Sequence, residues 1–159
     1  MRSASKRNFS LKLYSCNFVV FKRYTEPKNI ALFEEMKVLT SEECHARQSA
    51  LLAHYTGTVE MELGCMTDMI VQHVIPSCKR SDVGPLKELE AMAKKLKDAM
   101  HSIHHESDPQ KKAATARDIR LGVMLEARTV CDAAEEVVPN CEWTIPTYKD
   151  LLFLDQNHS

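Results

Sequence analysis

From Leu86 to Ile103 apolar residues return every third or fourth position, at Leu86, Leu89, Ala93, Leu96, Met100 and Ile103. That spacing closes on one face of an α-helix, whereas one face of a strand repeats every second residue. An amphipathic helix of this length must bury its stripe against other elements, so the architecture around it is already restricted to helix packing or a helix-covered sheet. The rest of the chain decides between them. With four glycines, five phenylalanines, eight methionines and abundant Ala, Leu, Glu and Lys in 159 residues, the composition favours helix and argues against a sandwich or barrel.

The neighbouring segments repeat the same grammar. Thr40-Ser41-Glu42-Glu43 places a capping hydroxyl three residues before a carboxylate that can reach back, a capping box. A long helix is predicted from Ser41 to the neighbourhood of Pro76, with Leu52, Tyr55, Val59, Met66, Ile70 and Val74 as its stripe and a short helix ahead of it over Ile30–Met36. Gly57 and Gly64 lie one heptad apart on nearly one side, which fits either the close approach of another backbone or a locally weakened helix. Ser81-Asp82-Val83-Gly84-Pro85 is a turn leading into the Leu86 helix. Ser107 or Asp108 can cap a third helix whose stripe is Ala116, Ile119, Val123, Ala127, Val130, Ala134 and Val137, up to Pro139. The predicted fold class is all-α: an antiparallel bundle of about three long helices, with a short helix before it and an extended aromatic tail after it. In that tail Trp143, Tyr148, Leu152 and Phe153 are the candidate docking residues, too apolar to leave in water without a surface to cover.

Charge divides the chain unevenly. Arg2, Lys6, Arg7, Lys12, Lys22 and Arg23 precede the first acid, Glu26, so residues 1–24 carry +6 of a net −1. Residues 1–27 read as a basic leader, disordered or transit-like, followed by a helical domain over 28–155 and a disordered end at 156–159. The near-neutral total gives no general case for nucleic-acid binding, and no stretch approaches the roughly 20 apolar residues of a membrane span. Six cysteines without a C-x-x-C spacing, three of them (Cys44, Cys65 and Cys131) in helix-like runs, read as reduced, buried thiols of an intracellular protein, cytoplasmic or organellar if the leader is a transit peptide.

Catalytic chemistry finds little to hold. Glu42-x-x-His45 has the spacing that brings a carboxylate and an imidazole to one metal, but it occurs once and in the first helical turn, where Glu suits the macrodipole. His101, His104 and His105 could meet across one turn, yet histidine is favoured near a helix C-terminus, and no cysteine or carboxylate pair stands nearby to complete a site. Cys44 and His45 are sequence neighbours whose side chains diverge on a helix, and the glycines never cluster into a phosphate loop. No catalytic, cofactor or metal residue is assigned.

Two stretches carry a family resemblance. Lys28-Asn29-Ile30-Ala31-Leu32-Phe33-Glu34-Glu35-Met36 leads through Val38-Leu39-Thr40, Glu43, His45, Arg47 and Gln48 to His54-Tyr55 and Val74-Ile75-Pro76, and the tail reads Trp143-Thr144-Ile145-Pro146-Thr147-Tyr148-Lys149-Asp150-Leu151-Leu152-Phe153. Together they resemble the carboxy-terminal end of a type III glutamine synthetase, over residues from about 26 to 155. The resemblance implies the C-terminal helical, structural or oligomerisation portion of a ligase that joins glutamate and ammonia with ATP and magnesium. Its implied partners are the catalytic domain or other subunits of that enzyme, in a homo-oligomer. No catalytic residue of the family maps onto this chain, which implies inactivity as a fragment. A stand-alone helical module that self-associates or regulates a full-length synthetase is the alternative.

Overall fold

The structure, a computed structural model, describes residues 20–153. Every regular element among them is helical: a helical segment at residues 20–23, then α1 (Pro27–Glu35), α2 (Ser41–Met69), a π-helical turn (Ile70–Val74), α3 (Ile75–Ser81), α4 (Leu86–His105), α5 (Pro109–Leu121), α6 (Val123–Val137) and α7 (Tyr148–Leu152). The all-α class predicted from the repeats therefore holds. The described residues divide into two compact units: 20–61 with His101–Leu121, and Glu62–Met100 with 122–153.

In the first unit the capping box forms as the sequence predicts. The Thr40 amide donates to Glu43 Oε2 at 2.8 Å and the Glu43 amide donates to Thr40 Oγ1 at 3.3 Å. The Thr40 amide, and after it the Thr40 hydroxyl donating to the same oxygen at 3.0 Å, hold the Glu43 carboxyl below its ordinary range. The buried stripe begins about two turns earlier than the apolar residues suggest, because Cys44, Gln48 and Thr56 join Leu52 and Val59 in the interior. Thr56 is accommodated there by donating its hydroxyl to the Leu52 carbonyl at 2.9 Å. Gln48 donates to the Phe21 carbonyl at 2.8 Å and to Thr25 Oγ1 at 2.9 Å, and Phe21 meets Tyr55 edge-on at 6.4 Å, beside the Leu52 and Ala113 cluster. Residues 20–27, assigned from charge to the leader, thus belong to the folded unit; the leader's residues 1–19 and the end at 156–159 lie outside the described residues. Asp108 caps α5 by accepting the Gln110 amide at 2.9 Å, with Pro109 opening the helix.

The second unit departs from the expected helix ends at two places. The first long helix does not stop at Pro76 but passes through it to Ser81, where Asp82 turns left-handed at φ 53°. Proline lacks the amide of an α-helical bond and its ring crowds the carbonyl four residues back. The π-helical turn just before it loosens that crowding, with the Ile75 amide reaching the Ile70 carbonyl five residues back. Ile70 and Val74 remain buried as predicted. The second departure is at Gly122, whose φ of −112° and ψ of −85° break the predicted third helix into α5 and α6. The break resets the register: α6 buries Met124, Ala127 and Ala134 and leads into buried Val138, leaving Val137 at the surface instead of in the stripe. Within α4 the predicted stripe is buried at Leu89, Ala93, Leu96 and, in the first unit, Ile103.

The glycines and thiols correct two further expectations. A Cβ built on Gly57 would meet nothing within 4 Å, and one on Gly64 would meet only Met100 Cε, at 3.8 Å. Neither position is therefore a close backbone approach. Gly84 is the glycine that the fold requires, at φ +98° with Cys78 Sγ 3.0 Å from where a Cβ would stand. Cys44 and Cys78 are buried and Cys131 is partly so, but Cys65 is exposed, on the open side of α2; all five described cysteines are free thiols.

Candidate docking site

The chain after α6 is fastened to the second unit residue by residue. The Glu142 and Trp143 amides both donate to the Pro139 carbonyl, at 2.9 and 3.2 Å, turning the backbone so that the indole is driven inward and left 9% exposed. Arg80 holds this turn from α3, with Nε donating to Glu142 Oε2 at 2.9 Å and Nη2 to the Glu142 carbonyl at 3.0 Å. His73 Nδ1 and Thr144 Oγ1 follow as a hydrogen-bonded pair at 3.0 Å. Trp143 thus anchors the tail within its own unit, and its indole Nε1 is buried without an acceptor.

The tail is not extended to its end. At Thr147 it enters α7 through a second capping box, in which the Thr147 amide donates to Asp150 Oδ2 at 3.0 Å and the Asp150 amide to Thr147 Oγ1 at 3.2 Å. The Thr147 hydroxyl, donating to Asp150 Oδ2 at 2.7 Å, and after it the Thr147 amide hold the Asp150 carboxyl below its ordinary range. Helix α6 adds the lateral ties: the Tyr148 amide donates to Glu135 Oε1 at 3.1 Å, its hydroxyl donates to Asp132 Oδ1 at 3.0 Å, and Arg128 Nη2 donates to that hydroxyl at 2.7 Å. Desolvation, with the bond to Asp132 second, pushes the Tyr148 phenol up.

These ties leave an apolar face outward. Tyr148, Leu151 and Leu152 share one side of α7 by their three- and four-residue spacing, and they are 48%, 57% and 78% exposed, with Phe153 beside them at 47%. Beneath α7 is a groove of about 500 Å³ walled by Cys65, Met66, Met69 and Ile70 of the α2 and π-helical run, by Met124 and Cys131 of α6, and by Trp143, Ile145, Pro146 and Leu151. Glu62, Arg128, Asp132 and Glu135 form its polar edge. Burial holds the Cys131 thiol up at about 11, with Asp132 adding to the effect. Of the four residues singled out in the sequence, the structure turns Trp143 inward and presents Tyr148, Leu152 and Phe153. Leu151, which the sequence reading passed over, joins them; its position three residues after Tyr148 was the available signal.

The candidate metal pairs do not assemble. Of the Glu42 and His45 pair, His45 Nδ1 is bonded to the Ser41 carbonyl of its own helix at 2.8 Å. His101 and His105 stack at 6.3 Å, while His104 lies 3.7 Å from Glu60, which also pairs with Lys112 at 3.0 Å. Among the described residues no group of three or more His, Cys, Asp or Glu is arranged to hold a metal ion, and no helix is long and apolar enough to cross a membrane.

Comparison with known proteins gives two findings. Residues 1–101 match the family described as the glutamine synthetase C-terminal domain. The chain is also similar to the type-3 glutamine synthetase of Dictyostelium discoideum, at 23% identity over 80% of this chain and 22% of that protein. It spans about a fifth of that relative's length.

Proposed function

Since this chain belongs to the glutamine synthetase C-terminal domain family, we propose that it works as the helical, structural portion of a glutamate–ammonia ligase, joined through α7 to the catalytic region or to a neighbouring subunit. The observation that carries this reading is the two-sidedness of the tail: Trp143, Glu142 and Tyr148 tie it to the second unit, while Leu152 and Phe153 face outward. A leucine and a phenylalanine held out in water gain about 1.5–3 kcal/mol each when a partner covers them. ATP and magnesium belong, in this reading, to the catalytic region, and the part played here is assembly.

The test uses a whole synthetase that carries this domain. Leu152→Asp and Phe153→Asp place charge on exposed positions, so the domain keeps its helical content while the enzyme's oligomer mass and its ATP-dependent glutamine formation fall together. An enzyme of unchanged mass and activity with both substitutions would overturn the docking role of α7.

A further inference from the structure

The indole of Trp143 is out of balance with its surroundings. It is 9% exposed, and its Nε1 is buried with no acceptor. An N–H in that position forfeits the bond it makes with water in the unfolded chain, and folded proteins keep few such groups without a use for them. The same indole is part of the wall of the groove beneath α7, whose volume of about 500 Å³ falls in the range of small-molecule sites. Around it the wall is hydrocarbon and thioether, from Met66, Met69, Ile70, Met124 and Ile145. An apolar cavity with one placed donor is the usual composition of a site for a small amphipathic ligand.

The charges at the groove's edge are engaged elsewhere. Arg128 and Asp132 share the Tyr148 hydroxyl, Glu135 accepts the Tyr148 amide, and Glu62 has a partner of its own. An ionic ligand would compete with those ties, whereas a neutral one leaves α7 in place. We propose that the groove binds a small neutral molecule with an apolar body and one acceptor oxygen, a ketone or ester in class, and that Trp143 Nε1 donates to that oxygen. Because Nε1 is closed off from solvent, the oxygen reaches it only as the wall gives way. Met66, Met69 and Met124 supply that give, since unbranched thioethers repack around an inserted group. The single donor also sets the selectivity: an oxygen-bearing ligand satisfies the indole, and a hydrocarbon of the same shape leaves it unpaired. The proposal concerns the groove and not the outward Leu152 and Phe153, so it stands or falls apart from the docking role of α7.

Trp143 is the chain's one tryptophan, so a single indole N–H signal in the nuclear magnetic resonance spectrum of the isotope-labelled full chain reports on the site. The probe is methyl pentyl ketone, and its control is the alkene in which a methylene group replaces the oxygen. The ketone should titrate saturably and move the indole proton downfield as the hydrogen bond forms. The alkene should bind about tenfold more weakly and without that movement. By calorimetry, Trp143→Phe should lose the preference, the two probes then binding alike. Met69 is 46% exposed at the wall, so Met69→Lys should keep the helical content of the chain and abolish binding of both probes. An indole signal that saturating ketone leaves unmoved would overturn the proposal, as would equal affinity of the unaltered chain for ketone and alkene. Binding of hexanoate without binding of the ketone would put recognition at Arg128 and overturn it as well.

Discussion

Replacing Gly64 by alanine should stabilise the second unit, whereas the same change at Gly84 should destabilise it. Gly64 is in the interior of α2, and the added methyl would meet only the end of Met100, at an ordinary 3.8 Å contact. Nothing opposes the gain of about 1 kcal/mol that alanine has over glycine in a helix. Gly84 has φ +98°, where a Cβ is strained by about 1–2 kcal/mol. The Cβ would also press on Cys78 Sγ at 3.0 Å, and Cys78 is too well buried to move freely. The two alanines should therefore separate by about 2–3 kcal/mol, with opposite signs relative to the parent. Trp143, the chain's one tryptophan, is buried in the same unit, so its fluorescence during urea unfolding reads both variants directly. The Gly64→Ala midpoint should rise, with a gain of roughly 2–4 °C on heating. If that midpoint falls instead, the added methyl is not accommodated against Met100 and the reasoning fails. A variant more stable alone but poorer at assembling with its synthetase would show that a glycine is kept there for the approach of a partner's backbone.

Further outcomes follow from the caps, the thiols and the core. Thr40→Ala should cost about 1 kcal/mol through loss of the capping box, seen as a lower thermal midpoint by circular dichroism. Glu43 and Asp150 both have lowered carboxyl pKa values in the folded chain, so their contribution is present above the unfolded values and disappears as pH falls through the folded ones. Stability should accordingly drop on acidification, and less so in the double variant Glu43→Gln, Asp150→Asn; equal acid sensitivity would count against the caps as its source. Iodoacetamide at pH 8 should alkylate Cys65 well before Cys131, which is partly buried and held up at about 11, as peptide mass mapping can check. Leu63→Ala, at a fully buried position, should lose about 2–5 kcal/mol in urea unfolding; a smaller loss would mean that the neighbours collapse into the space.

Much of the helical pattern is readable from residue spacing alone. Leu89, Ala93, Leu96 and Ile103 are buried because a three-four repeat leaves a helix no other face to hide, and the Thr40–Glu43 cap is a local bond pattern that needs no tertiary information. The misplaced features depend on backbone geometry or on polar residues acting as core. Gln48, Thr56 and Thr67 do not register in an apolar repeat, yet they are buried because each donates to a nearby acceptor: Gln48 to the 20–27 segment, the two threonines to carbonyls four residues back. The helical run from α2 through the π-helical turn into α3 passes Pro76, and the predicted third helix breaks at Gly122, for reasons that single-residue preferences rank the other way round, since proline normally ends helices more sharply than glycine. At the candidate site, aromatic content located the tail but could not separate the inward Trp143 from the outward Phe153, because that choice is made by the Pro139 turn and the Arg80–Glu142 pair.

The π-helical turn at Ile70–Val74 amounts to one extra residue wound into a helix. Deleting one residue there would let the segment close into ordinary α-helix with everything downstream facing as it does now, because the wide turn is what absorbs the extra residue. The same deletion in the unbroken α-helix at residues 62–69 would swing everything downstream by about 100° around the axis. Cys78 and Ser77 would then rotate out of the interior, detaching Arg80 from Glu142 and with it the turn that seats Trp143. Single-residue length differences among related chains should therefore gather at residues 70–74 and spare the α-helix on either side.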